Sequence, residues 1–219
     1  MPNKTVANYM KNKAVLMIIF GLFSTKSIAD ESHLSVIQSG NNSTITLDSS
    51  GYADNTLVQQ QGDDLSADLV LNGDRNITFI NQLNGSHNEI DLTVNGENSH
   101  TTVQQVDSMQ AIANVSIKGN NNTTQLSQFS SNEVNIDANI IGNNNSFVFS
   151  QYHSEGNNID ANINGNFNSG NILQTGVGND LQLTQENDNN IANISQLGSH
   201  KALSITQTGS GMPVNIIQQ

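Results

Sequence analysis

The sequence predicts an all-β fold, a β-solenoid of 22–23-residue repeats with two strands per turn and about eight turns. Three observations predict it. Glutamine recurs as Gln38, Gln60, Gln82, Gln105, Gln128, Gln151, Gln174, Gln196 and Gln218, always at intervals of 22 or 23 residues. Midway runs a second turn series, Gly51, Gly73, Gly96, Gly119, Gly142, Gly165, Asn187 and Gly209. Between these marks apolar residues alternate with polar ones, the period of a half-buried strand. With 35% hydrophobic residues, no Trp and no Cys, the chain is too polar for a large conventional core, and its apolar spacing is too regular for disorder.

The first element is an export signal peptide over residues 1–29. Lys4, Lys11 and Lys13 precede the apolar run from Ala14 to Phe23, and Ser27 and Ala29, on either side of Ile28, supply the small residues of a cleavage site. The run is too short for a comfortable membrane span. Residues 30–219 form one repeat domain. Once Lys26 leaves with the peptide, Arg75, Lys118 and Lys201 face all 19 acids, a net charge of −16. That balance argues against nucleic acid as a partner, because phosphate contacts need a basic surface. Without cysteine, an oxidising compartment adds no disulfide, and stability rests on strand pairing and packing.

The first strand of each repeat ends at its glutamine, and residues two, four and six before it share its face. The position two before reads Val36, Val58, Ile80, Val103, Leu126, Phe149, Ile172, Ile194 and Ile216, all apolar, so this face is the interior. Four before come Leu34, Thr56, Thr78, Thr101, Thr124, Phe147, Gly170, Ala192 and Val214. Six before stand Ser32, Asp54, Asn76, Ser99, Asn122, Asn145, Asn168, Asn190 and Met212. Asp54 is the acid in that Ser/Asn column, placed to act as a gatekeeper against uncontrolled pairing.

The second strand repeats the alternation, from Ile45 and Leu47 through Ile136, Ala138 and Ile140 to Leu203 and Ile205. Its last inward residue is aliphatic in the middle repeats and glutamine at Gln185 and Gln207. The four 23-residue repeats place their extra residue in the first turn, which keeps the inward register on both sides. Stacked in parallel register, identical amides one rung apart donate and accept along their columns, so Gln38 to Gln218, the pair Gln185 and Gln207, and the Ser/Asn series from Ser32 to Asn190 are expected ladders. Eight intervals at about 4.8 Å make a rod roughly 40 Å long.

The segment from Gln174 to Gln196, with Gln-x-Gly-x-x-Asn at Gln174, Gly176 and Asn179, resembles the curlin repeat of bacterial curli fibres. In that repeat a polar residue, Gln, Gly, Asn and Gln recur at these spacings. The period extends over residues 32 to 219, and the full motif stands in the last third. The resemblance implies an extracellular functional amyloid subunit, secreted unfolded and polymerised at the bacterial cell surface as a biofilm-matrix and adhesion fibre. It also implies partners: further copies or a paralogous curlin subunit, and outer-membrane secretion and assembly proteins. The glycine step is absent after Gln82, Gln105, Gln128 and Gln151, and no Gly-rich segment separates the export peptide from the first repeat. That last feature, with the C-terminal sequence, leans toward a minor, nucleating subunit and leaves the major subunit open.

Catalytic readings find no support. Gly-x-Ser-x-Gly, His-Glu-x-x-His and Walker-type loops are missing, and no cofactor or metal is expected. His33, His87, His100, His153 and His200 fall near turns or strand starts in different columns, as solvated residues do. The acids Asp63, Asp64, Asp74, Glu97 and Asp107 lie in turns without the Gly-Gly-x-Gly-x-Asp pattern of calcium β-rolls. A soluble solenoid with an ice- or carbohydrate-binding surface is the alternative, and the predicted burial of the Thr56, Thr78, Thr101 and Thr124 column ranks it second. Inward-apolar strands reach both chain ends with no polar cap, so Val214, Ile216 and Gln218 form the expected polymerising edge.

Overall fold

The computed structural model describes residues 22–25 and 32–219, and within them the chain is a β-solenoid built from two nine-stranded parallel sheets. Sheet I collects the strands of the glutamine series, from His33–Ser39 to Pro213–Gln218. Sheet II collects the strands between them, from Thr44–Ser50 to Ala202–Gln207, with Leu22–Thr25 added at its first edge. Each strand pairs with the strand one repeat later because a whole turn of chain separates them. The register aligns the repeats as the sequence period requires: Val103 pairs with Leu126, Gln105 with Gln128, and Ala138 with Ala161.

The core is a continuous stack of the inward columns. Val36, Val58, Ile80, Val103, Leu126, Phe149, Ile172 and Ile194 are all buried, and so are the facing Leu47, Leu69, Leu92, Val115, Ala138, Ala161 and Leu183. One bulky residue needs a local exchange of volume. Phe147 lies in register with Gly170, and a Cβ at Gly170 would sit 2.7 Å from the Phe147 ring. The C-terminal rungs thin out, with Leu203, Val214 and Ile216 only partly buried.

The extra residue of the 23-residue repeats lies two places after the glutamine. Asn84, Asp107, Ser130 and His153 occupy that place, with φ between 48 and 53°. Asn84 and His153 are each skipped in the register with the neighbouring 22-residue repeat, so the insertion bulges outward and the columns stay aligned. In the shorter repeats that place is Gly40, Gly62, Gly176 or Gly198. At Gly176 a Cβ would lie 1.9 Å from the Gly198 carbonyl oxygen of the next rung, so glycine is required for the turns to stack.

The two outer faces differ in charge. On sheet II, Asp48, Asp68, Glu89, Asp91, Asp137, Asp160, Asp180 and Glu186 point outward, with Lys118 as the base among them. On sheet I, the outward residues from five before each glutamine to one after it include no Asp, Glu, Lys or Arg.

The expected uncovered ends hold only in part. Sheet I begins at the His33–Ser39 edge, but in sheet II Leu22–Thr25 pairs in parallel with Thr44 to Leu47. Those four residues belong to the expected export peptide, whose remaining positions lie outside the described residues.

Val103 is fully buried between Ile80 and Leu126, so Val103→Asp puts a charge where no counter-charge stands. Circular dichroism of the purified variant is expected to show loss of the β-rich state. A native spectrum would overturn the assigned register.

Candidate functional site: amide columns and the solenoid ends

The glutamine column is the most regular feature of the interior. Every Gln from Gln38 to Gln196 donates its Nε2 to the Oε1 of the next Gln, ending at Gln218, over distances of 2.7–3.1 Å. The same nitrogen has a second proton, and it is used too. Gln60, Gln82, Gln105, Gln128, Gln151, Gln174 and Gln196 donate it to the carbonyl of the first residue of a sheet II strand, as in Gln174 Nε2 to Asn158 O at 2.8 Å. Each amide therefore ties adjacent rungs and the two sheets at once. Gln185 donates to Gln207 at 2.7 Å and starts the second, shorter column. The residue before it in that column is Ile163, which leaves Gln185 Oε1 buried without a partner.

The Ser/Asn column forms, but it bonds differently from the expected side-chain ladder. The Oδ1 of Asn122 accepts the backbone N–H of Asn145, Asn145 accepts that of Asn168, and Asn168 that of Asn190, each at 2.8–2.9 Å. Asn76 Oδ1 accepts Ser99 N–H, and Asn190 Oδ1 accepts Met212 N–H. The amide nitrogens donate to turn carbonyls of the next rung, Asn122 to Gly142 and Asn145 to Gly165, both at 2.8 Å. These side chains sit at a corner where the strand enters from a turn, so the nearest unpaired groups are backbone ones. Ser32 and Ser99 serve more weakly: Ser32 Oγ accepts Asp54 N–H at 3.2 Å, and Ser99 Oγ reaches Gly119 O at 3.5 Å.

Asp54 occupies an asparagine place and is buried at 2% exposure. One carboxylate oxygen accepts Asn76 N–H at 2.8 Å and the other accepts Ser49 Oγ at 3.4 Å. It has no amide proton for the turn carbonyl that the register sets before it, Gly73 O. Burial first, and the charge of Asp74 as a smaller contribution, raise its pKa above the ordinary 3.8 against the pull of its hydrogen bonds. On sheet II, burial and the neighbouring Asp68 raise Asp91, and burial and Asp160 raise Asp137.

Further polar columns were not expected from the sequence. Where the second strand begins, Ser43, Asn88, Asn157 and Asn179 face inward and are buried. Asn88 Oδ1 accepts Ala111 N–H, and Asn179 Oδ1 accepts Lys201 N–H. At the first turn of the long repeats, Ser108, Ser131 and Ser154 donate to Gln128 O, Gln151 O and Gln174 O. On the outer turn, Asn120, Asn143, Asn166 and Asp188 accept the N–H of the equivalent residue one rung earlier. The signal was available: these residues follow the second-turn glycine series directly.

The threonine column is inside, as expected, and Thr78, Thr101 and Thr124 have no hydrogen-bond partner for their hydroxyls. The histidines remain apart. His87 pairs with Asp64 at 3.4 Å across one turn, with both side chains well exposed. At the two ends of the glutamine column the chemistry is complementary. Among the described residues Gln38 Oε1 is buried with no donor, and Gln218 is half-buried on the Pro213–Gln218 edge strand beside Val214 and Ile216. No protein-family model matches the chain, and no curated protein or solved structure matches it either.

Two substitutions check these columns. Gln128→Leu removes the acceptor of Gln105 and orphans Gln151 Oε1, and is expected to destabilise the fold by about 1–3 kcal/mol in denaturant unfolding. An unchanged midpoint would mean that the column carries no stability. Asp54 takes up a proton more readily in the fold than in the unfolded chain. Its ionisation thus opposes folding above the raised pKa, and the penalty fades as pH falls through that value toward 3.8. Asp54→Asn is expected to stabilise the protein at pH 7 and to lose that advantage near pH 3.5, read from thermal melts at both pH values. An equal gain at both would reject the carboxylate as the cause.

Proposed function

We propose that this chain is a secreted structural subunit of curli-like extracellular amyloid fibres, polymerising end to end at the bacterial cell surface to build biofilm matrix and mediate adhesion. The observation that carries this reading is the unbroken glutamine column, with an acceptor at Gln38 that has no donor among the described residues and an open strand at Pro213–Gln218. Stacking one copy on another in the internal register would set Gln218 over Gln38, Ile216 over Val36 and Val214 over Leu34. These glutamine and aliphatic contacts then repeat the kind already made between rungs, and the open strand edge supplies unpaired N–H and C=O groups. Removing residues 1–29 on export would take Leu22–Thr25 away and bare the Thr44–Ser50 edge of sheet II as well.

The curlin-like spacing at Gln174, Gly176, Asn179 and Gln185 supports the family placement, with Gln174, Asn179 and Gln185 all buried and hydrogen-bonded or stacked in column. The partners in this reading are further copies or a paralogous curlin subunit, with outer-membrane secretion and assembly proteins handling the unfolded chain. The lack of a Gly-rich segment before the first repeat and the C-terminal sequence lean toward a minor, nucleating role and leave the major subunit open. The soluble ice- or carbohydrate-binding module has less support, since the regular threonine column that such a surface would use is buried.

The purified chain is expected to form thioflavin-positive fibres. Ile216→Pro removes one donor and one apolar contact from the terminal strand. Seeded elongation of that variant is expected to slow by about tenfold or more, equivalent to about 1.4 kcal/mol at the growing end, while its monomer keeps its β spectrum. Equal elongation rates would move the polymerising edge away from Pro213–Gln218.

A further inference from the structure

From five residues before each glutamine to one after it, the outer surface of sheet I is long, regular and free of charged side chains apart from His33 and His100; Asp63, His153 and Glu155 lie beyond that band at its turn edge, whereas the outer surface of sheet II holds eight acids and one lysine. Along the middle of sheet I, the residue after Gln82, Gln105, Gln128 and Gln151 forms an apolar ridge: Leu83, Val106, Phe129 and Tyr152 stand in register, and the rings of Phe129 and Tyr152 stack with centroids 5.5 Å apart. Beside them Ser127 and Ser150 face outward yet are buried, so the ridge stands above a smooth floor. We infer that two copies of this chain pair face to face through the outer surface of sheet I, with a two-fold axis through its middle strand.

Charge selects this face and this partner. Two sheet II faces brought together would set two acidic arrays against each other, at a cost that grows as water is excluded. Sheet I against sheet II would bury acids opposite amides and apolar groups with no base on sheet I to pair them. Sheet I against itself buries no Asp, Glu, Lys or Arg and places ridge against ridge. The size is sufficient. Nine strands at about 4.8 Å, each about seven residues at 3.3 Å, give a footprint of roughly 1,000 Å² per copy. Stable pairs bury about 800 Å² on each partner. The pairing is lateral, so it does not depend on end-to-end growth and holds for single solenoids or for fibres.

The chain contains no cysteine, so a single introduced thiol reports on one place. Gln125 is exposed on the middle strand Thr123–Phe129 of sheet I, and Ser116 is exposed on the outer face of sheet II. Under mild oxidation the purified Gln125→Cys chain is expected to form a disulfide-linked dimer, and Ser116→Cys is expected to stay unlinked. End-to-end stacking cannot produce that link, because equivalent residues of axial neighbours stand a rod length, roughly 40 Å, apart. A charge pair gives the second arm. Gln125→Glu and Gln125→Lys chains are each expected to associate about tenfold more weakly in sedimentation, and their mixture is expected to recover the original association. Equal cross-linking at both positions, no cross-linking at Gln125→Cys, or failure of the mixed pair to recover would overturn the proposal. So would protection of the Gln125→Cys thiol by an added glycan with the chain remaining monomeric, since that would make a carbohydrate the occupant of the face.

Discussion

The constraint on which the rest of the structure depends is in-register stacking of identical rungs. A buried glutamine amide holds two donors and an acceptor that are costly to leave unpaired in a dry interior. Here each finds its partners only if the rung above presents another glutamine at the same place and the rung below a carbonyl at the start of a sheet II strand. Gln105 shows the full arrangement: its Nε2 donates one proton to Gln128 Oε1 and shares the other between Glu89 O and Ala111 O. A slip of one residue would turn the whole inward set to the surface and orphan these groups together. Polar residues thus fix the register, and the aliphatic columns beside them supply the burial that holds it.

Fixing register by side chains leaves the turns free to vary in length. The long repeats absorb an additional residue at Asn84, Asp107, Ser130 and His153 as an outward bulge with left-handed backbone, and the columns on either side remain aligned. The short repeats reach the same result with glycine, where the stacked carbonyl comes too close for a side chain. Two solutions coexist because the amide columns, rather than the turns, carry the alignment.

The same repetition makes charge cumulative. Parallel stacking sets equivalent residues one rung apart, so Asp68 meets Asp91 and Asp137 meets Asp160 on one outer face. Asn114 separates these pairs and dilutes the repulsion. The other outer face avoids the problem by carrying amides, hydroxyls and apolar residues. Asp54 is the exception inside. Its carboxylate stands where asparagine serves elsewhere, and the second rung bears a proton-dependent defect that the other rungs lack.

Much of this was legible in the sequence, because a solenoid turns the one-dimensional period directly into three-dimensional adjacency. The interval between Gln105 and Gln128 gives their contact, and alternation gives the buried faces of Val103 and Ile117. The columns Gln38 to Gln218 and Gln185 to Gln207 followed from the same rule. What only the tertiary structure decided concerns the corners and the ends. The Ser/Asn residues were expected to bond to one another, but at the corner the unpaired groups within reach are backbone N–H and turn carbonyls, as Asn145 shows with Asn168 and Gly165. The buried entries at Asn88 and Asn179, and the covering of Thr44–Ser50 by Leu22–Thr25, depend on how the chain bends between the sheets. A residue's period fixes its neighbour along the stack. Which atoms it meets across a bend is set by backbone direction, which the period does not contain.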